Sequence, residues 1–415
     1  MRIRHYLSVL ILGMSVLQLL VPRAPWAAQS HTIQELGVVD AIRAAGPNRS
    51  GQVAVRSGSV SHTSRRITPG GRADRPGTLA VHDDIGANGI NDSGDVVNSA
   101  NGGKADRPGI LAVDNYISAN GINDSGDVVG SANMSFGSRP CRADIPGLVV
   151  DDLPGIEKSF LAPPSGNCPI STVRAVLWTK KTGLSDLGTL SGDNASEAFG
   201  INNSGAVVGY SSGPDGVQAF LWTPDSKMQP LAPLPGSTYS KAFGINDAEV
   251  IVGSSGGPLG TRASLWSRGR IENLGALPGE TFSEAHAINN SGSIVGSSGG
   301  PVGMRAFLWK SNQGMQALPA LPGGRFSTAS GISDSGEIVG SAESSLGEIR
   351  AVLWSTSGEP QDLNTLVSVP PGVVLREAVG INASRQIVVL GRDQKDIHAN
   401  HEGLSRVFLL TPGGP

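Results

Sequence analysis

The feature that most constrains this chain is a line of sequence that recurs eight times. Its clearest copy is Ala198-Phe-Gly-Ile-Asn-Asn-Ser-Gly-Ala-Val-Val-Gly209. The motif asparagine falls at Asn48, Asn91, Asn123, Asn202, Asn246, Asn289 and Asn382, with Ser333 in its place once. Successive gaps are 43, 32, 79, 44, 43, 44 and 49 residues. A period near 44 means one small supersecondary unit stacked repeatedly, so the fold is read from that unit.

The unit reads as four short strands. Ala-Phe-Gly-Ile and Ala-Val-Val-Gly are apolar runs joined by Asn-Asn-Ser-Gly, whose residues favour a hairpin turn with a left-handed glycine. That glycine is present at Gly51, Gly94, Gly126, Gly205, Gly292 and Gly336, and is replaced by Glu249 and Arg385. Those two turns either carry a strained left-handed side chain or differ in type. A third strand follows, as in Gln218-Ala-Phe-Leu-Trp222 and Arg305-Ala-Phe-Leu-Trp309. Both of its faces are largely apolar, which predicts burial between layers. Segments such as Asp186-Leu-Gly-Thr-Leu190 supply the fourth.

Four strands per repeat without helical periodicity predict an all-β fold, a β-propeller of seven or eight four-stranded blades. The last unit stops at Arg406-Val-Phe-Leu-Leu410 without a fourth strand, and Ile33-Gln-Glu-Leu-Gly37 is an orphan copy of one. Pairing the two closes the ring with N- and C-terminal strands and hides exposed edges. The segments from Asn88 and Asn120 are near-identical copies 32 residues apart, leaving two thin blades or one blade plus an extra hairpin. An irregular Pro/Gly-rich insertion spans residues 138–172 and holds both cysteines, Cys141 and Cys168, read as one disulfide stapling a loop.

Residues 1–28 have the layout of a secretory signal: Arg2 and Arg4, a charge-free run from Leu7 to Val21, then Ala27-Ala28. An uncleaved N-terminal anchor is the alternative. The remainder, 29–415, is expected to be a single propeller domain without a membrane span. Removing the signal takes away three arginines and no acid, leaving 29 basic against 35 acidic residues, a net of −6. With no basic patch, nucleic-acid binding is not expected. The predicted localisation is extracellular or periplasmic, in a bacterium, and a monomer is expected.

Taken together, Ala-x-Gly-Ile-Asn-x-x-Gly-x-Val-Val-Gly, Arg-Ala-Phe-Leu-Trp and Asp-Leu-Gly-x-Leu-x-Gly resemble the HAF repeat of extracellular bacterial proteins. The match is strong from Leu187 to Leu366 and weaker from Ile33 to Ala132. The resemblance implies export and repeat architecture. It is tied to no known reaction, so it implies no catalytic residues.

A search for chemistry finds no catalytic, cofactor or metal site. Acidic turns such as Asn123-Asp-Ser-Gly-Asp127 and Asp334-Ser-Gly-Glu337 invite a calcium reading, but hairpin geometry alone explains their composition. His398 and His401 lack an evident third ligand, and His286 reads as a strand-packing variant. No Gly-x-Ser-x-Gly elbow or phosphate loop is present. Ser254-Ser-Gly-Gly-Pro258 and Ser297-Ser-Gly-Gly-Pro301 read as connections between second and third strands. Glu197 and Glu284 occupy matching places, with Lys241 at a third, which reads as a variable rim.

The expected function is a non-enzymatic exported scaffold binding an unknown glycan or protein ligand. Its predicted contact zones are the loops at 213–217, 256–261, 299–304 and 344–349. The alternatives are a carbohydrate-active hydrolase or lyase, needing a converging acidic cluster, and a structural surface protein. An aromatic content of 5% argues against a sugar-stacking cleft.

Overall fold

The structure is a computed structural model. It describes residues 31–39, 44–45, 54–55, 85–90, 96–100, 117–140, 167–179, 181–258, 260–301, 303–394 and 405–412. The signal segment, Cys141, His398 and His401 lie outside the described residues.

The repeat folds into four-stranded antiparallel sheets, six of them among the described residues, in a propeller-like arrangement. Sheet 1 comprises Ile117–Ile122, Val128–Pro140, Asn167–Thr179 and Gly183–Gly188. Sheet 2 comprises Ala195–Ile201, Val207–Gly213, Gly216–Thr223 and Lys227–Pro230. Sheet 3 follows with Tyr239–Ile245, Ile251–Gly257, Gly260–Ser267 and Arg270–Gly275. Sheet 4 has Phe282–Ile288, Ile294–Gly300, Gly303–Lys310 and Gly314–Ala317. Sheet 5 has Ser327–Ile332, Ile338–Glu343, Ile349–Trp354 and Pro360–Asp362. Sheet 6 is built from both ends of the described chain: Val373–Ile381, Ile387–Asp393, Ser405–Pro412 and, beside the last, His31–Val39. Ile33 pairs with Leu410 and Glu35 with Phe408, the pairing expected from the orphan strand.

Two further hairpins stand outside these sheets, Ala44–Ala45 with Ala54–Val55 and Ile85–Ile90 with Val96–Ala100. Ala44–Ala45 lies against the first two strands of sheet 6, and Ala54–Val55 lies against the first strand of sheet 1. Strands also extend into both ends of the segment predicted to be irregular. Pro140 pairs with Asn167 and Arg139 with Cys168, so the ladder continues through 138–140 and 167–172. Ile170, Thr172 and Val173 are β-branched, which suits an extended ladder; residues 141–166 lie outside the described residues.

The core sits between sheets. Val208 and Ala219 of sheet 2 pack with Ala242, Ile251 and Trp266 of sheet 3. Equivalent clusters join sheets 3 and 4, 4 and 5, and 5 and 6. This is why the third strand is apolar on both faces: Ala219 and Phe220 are both fully buried, as are Leu353 and Trp354. First strands of successive sheets lie side by side, forming the inner wall.

Every first strand carries a bulge just before its turn, as between Ala198 and Gly200. Opposite it in sheets 1 to 5 stands a glycine of the second strand, and in sheet 6 Val389. A Cβ on Gly209 would lie 2.0 Å from the Glu197 carbonyl oxygen, with the same clash at Gly253, Gly296 and Gly340. The repeat glycine before each turn partner is therefore a requirement of close backbone approach.

Candidate functional site

The motif asparagine does two jobs. Within its own turn, the Asn202 Oδ1 accepts from the backbone N–H of Ser204 at 3.1 Å and of Ala206 at 2.9 Å. Its Nδ2 then donates to the Asn246 carbonyl of the next sheet at 3.1 Å. Asn123 donates likewise to Asn202, Asn246 to Asn289, and Asn289 to the Ser333 carbonyl. A second belt follows one residue later. The N–H groups of Asp124, Asn203, Asp247 and Asn290 donate to the side-chain Oδ1 of Asn203, Asp247, Asn290 and Asp334 respectively.

These turns ring a polar depression of about 190 Å3. The carboxylates of Asp124, Asp247 and Asp334 accept there from the amides of Asn203 and Asn290. Their oxygens are engaged by neighbouring amides, in keeping with a structural reading of the acidic turns. Among the described residues no group of three or more His, Cys, Asp or Glu is placed to hold a metal ion.

Buried serines make a second set of latches. The N–H groups of Ala175, Ala219, Ala263 and Ala306 donate to the hydroxyls of Ser196, Ser240, Ser283 and Ser327 in the next sheet, at 2.9–3.0 Å. Where a bulge frees an alanine N–H from its own ladder, as at Ala263, the serine satisfies it. Ser211, Ser255 and Ser298 accept similarly from Leu190, Leu234 and Leu277.

The Ser-Ser-Gly-Gly segments are corrected on this point. Ser254, Ser255, Ser297 and Ser298 lie buried within second strands rather than in connections. Serine and glycine stand there because hydroxyl latches and close approach demand them, so their turn-like composition misleads.

The positions that vary between repeats gather on the inner wall. The bulged residues are Asn120, Phe199, Phe243, His286, Ser330 and Val379. Bulges re-aim a side chain, and Asn120, Phe199, Phe243 and His286 reach from one sheet to the next. Phe199 meets Phe243 edge-on with ring centroids 5.5 Å apart, and Phe243 meets His286 at 6.5 Å. His286 Nδ1 lies 2.8 Å from the Ala329 carbonyl, so its ring does pack between strands.

Glu197, Lys241 and Glu284 are also on these first strands, half-buried, which corrects their reading as a rim. Glu197 accepts from Asn120 at 3.1 Å and from the Tyr210 hydroxyl at 2.9 Å. The Lys241 ammonium sits 4.7 Å from the Tyr210 ring centroid, within cation–π range. Glu284 accepts from Ser254. Tyr210 also stacks on Phe199 at 5.8 Å. Phe199, Tyr210, Phe243 and His286 thus form one arc of rings.

The loops predicted as contact zones are short. Gly213 pairs with Gly216, Gly257 with Gly260, and Gly300 with Gly303, so three of the four are two-residue turns. Only residues 344–348 form a longer connection. Such turns present little surface, and the variable positions lie on the inner strands instead.

The interface between sheets 5 and 6 departs from the pattern. Ser333 replaces the latch asparagine, and Leu375, opposite Gly391, stands where the first-strand serine stands elsewhere, with Arg376 bulged beside it. Gly391 replaces the second-strand serine of sheet 6, and Ala342 makes the same replacement at the interface of sheets 4 and 5. A buried carboxylate is used instead. Glu337, with its side chain 1% exposed, accepts from Arg385 Nε at 2.6 Å and from Ser333 and Ser335 at 3.1 and 2.6 Å. Asn364 clamps the backbone of Leu375, accepting from its N–H and donating to its carbonyl, both at 2.8 Å. Beside this interface is a cavity of about 260 Å3 bordered by Arg376, Glu377 and Arg392. Burial pushes the Glu377 carboxyl above its ordinary range, with Arg376 pulling it back.

Among the described residues no helix is long and apolar enough to cross a membrane. No protein-family model matches the chain, and no curated protein matches its sequence. Among solved structures the chain is similar to virginiamycin B lyase from Staphylococcus aureus, at 12% identity over 92% of this chain and 99% of that one, TM-score 0.47. It is similar to TolB from Acinetobacter baumannii at 9% identity and TM-score 0.38, covering 58% of this chain and 60% of that one. A gluconolactonase from Xanthomonas campestris gives 12% identity and TM-score 0.32, over 53% and 87%.

Proposed function

We propose that this chain is an exported, non-catalytic repeat scaffold that binds a glycan or protein ligand on its inner strands. One observation carries the reading. Polar side chains common to the repeats are occupied by latches between sheets, whereas the residues that differ from repeat to repeat stand together on the inner wall. A scaffold that holds its frame constant and varies one surface is suited to recognition at that surface. Phe199, Phe243, Tyr210 and His286 supply apolar and stacking contact, and Glu197, Lys241 and Glu284 supply charge of both signs. The ring is taken as closed, with seven or eight blades depending on how the two hairpins before sheet 1 are counted. The HAF resemblance, the signal at 1–28, the Cys141–Cys168 disulfide and a monomeric state belong to the same proposal.

A glycan array and polysaccharide pull-down on the mature chain test it, read for both retention and product release. Retention that is lost in a Phe199→Ala/Phe243→Ala variant supports the reading. Retention that is indifferent to that variant, or no retention at all, overturns it.

One observation favours a hydrolase or lyase as second reading: Tyr210 holds the Glu197 carboxylate at its phenol and the Lys241 ammonium over its ring. Product release abolished by Tyr210→Phe would establish that reading over the first.

A further inference from the structure

The cavity between sheets 5 and 6 exists because two sets of latches are given up there. In the other sheets a serine hydroxyl bridges each pair of neighbours, filling the space and satisfying a backbone N–H. In sheet 6 that place, opposite Gly391, is taken by Leu375, and Arg376 is set beside it at an additional bulge between Leu375 and Glu377 that no other first strand carries among the described sheets. Gly391 removes the second-row hydroxyl at this interface and itself borders the cavity. Arg392 follows it on the second strand.

The charge left at this place is unbalanced. Neither Arg376 nor Arg392 makes an ion pair or hydrogen bond with another described residue, and Glu377 accepts none. Arg350, the third guanidinium nearby, is already paired with Glu348. Burial, then the charges of Arg392 and Arg350, make the Arg376 guanidinium harder to protonate than usual. Two guanidiniums without a partner among the described residues, bordering one cavity, are a poor structural device, since they repel each other and offer donors that no described residue accepts. They are a good device for recognising an oxyanion, which a planar fork of N–H donors can grip from two sides.

We infer that the cavity lined by Arg376, Arg392, Glu377 and Ser341 is an anion site, taking a carboxylate or a sulfate or phosphate ester group carried by the ligand. The inference rests on the binding reading for its biological sense and adds the charge class of the ligand to it. Its test does not need that ligand. Inorganic sulfate and D-glucuronate are titrated into the mature full-length chain by calorimetry at low ionic strength, with chloride matching the ionic strength in the reference. Saturable binding is expected, weakened about tenfold or more by Arg376→Gln or Arg392→Gln, as loss of a charge-assisted contact implies. Arg392→Lys should recover part of the loss, and Glu377→Gln should tighten binding. Arg270→Gln, on the outer strand of sheet 3, should leave it unchanged.

Sulfate binding without glucuronate binding would assign a tetrahedral ester group, and the reverse a carboxylate; both support the site. Absence of saturable binding, or equal affinity in the Arg376→Gln/Arg392→Gln double variant, overturns it. Should a glutamine variant unfold, the Arg392→Lys and Glu377→Gln variants carry the decision. An unchanged affinity in both, with the fold retained, overturns the site equally. Failure of the inner-wall reading would show separately, as glycan or protein retention indifferent to Phe199 and Phe243 while sulfate binding persists.

Discussion

The interfaces joining sheets 2, 3, 4 and 5 and the single interface joining sheets 5 and 6 solve one problem by different means. At the first three, neutral groups do the joining. An asparagine amide reaches a carbonyl 43 or 44 residues on, and a serine hydroxyl accepts a backbone N–H. Each contact is small, directional and complete. At the last, the carboxylate of Glu337 and the guanidinium of Arg385 replace the amide, and Leu375, with Arg376 bulged beside it, replaces the serine. The comparison teaches that a repeat can surrender its latches at one place if a buried ion pair holds that place together. It also teaches where to look for function: the exception, not the rule, leaves charge unpaired beside a cavity.

The largest expected effect comes from breaking the substitute. Arg385→Met keeps the side-chain bulk but leaves Glu337 buried without its counter-ion, and should destabilise by about 3 kcal/mol in denaturant unfolding. A loss no larger than that of a neutral latch would erase the distinction between the two kinds of interface. Next is Asn246→Ala, which removes acceptance from Ala248 and Val250 and donation to Asn289. Its expected cost is about 2 kcal/mol, from three modest bonds partly inside one turn. Ser283→Ala strands the buried N–H of Ala263 and should cost about 1–2 kcal/mol, with amide exchange at Ala263 rising first.

A gain is expected at Glu249. The residue adopts φ 57° where its counterparts Gly205 and Gly292 adopt 81° and 80°, so the non-glycine turns are strained rather than different in type. Glu249→Gly should stabilise by about 1 kcal/mol, read as a shifted denaturation midpoint. Arg385, at φ 63°, shares the strain but is retained by its ion pair; Arg385→Gly should therefore lose stability where Glu249→Gly gains it.

The smallest effect is a pH dependence at Glu377, which faces Arg376 with Arg350, Arg392 and Glu348 close by. Its folded pKa is raised, so the fold prefers the neutral acid. That preference contributes fully below the unfolded carboxyl pKa and is lost as pH rises through the folded value. Glu377→Gln should thus raise Tm at neutral pH and give no advantage at pH below about 4. A pH-independent difference would place the effect in packing instead.

Much of this was legible in the chain. Asn, Ser and Gly at fixed spacing dictate a hairpin turn through local backbone chemistry, and the doubly apolar third strand dictates burial between sheets. The strand left over at Ile33 was readable because edges demand partners. The latches were not, because a turn needs its asparagine oxygen whether or not the amide finds a carbonyl elsewhere. Ser254 and Ser255 looked like a connection, since the residues that suit turns also suit close, hydroxyl-bridged strands. Glu197 and Glu284 were misplaced to a rim because nothing in strand alternation marks which strand of a sheet is innermost.

The sequence by itself determined the repeat, its four strands and the partner for its loose end, all consequences of local conformational preference and the need to bury apolar faces. Only the tertiary structure decided which residues of distant repeats meet. It drew Phe199, Tyr210, Phe243 and His286 into an arc, set motif asparagines and buried strand serines to bridge neighbouring sheets, and left Arg376 and Arg392 bordering an open cavity. Contacts between sheets depend on three-dimensional stacking, and side chains with the same local role differ in what the next sheet offers them.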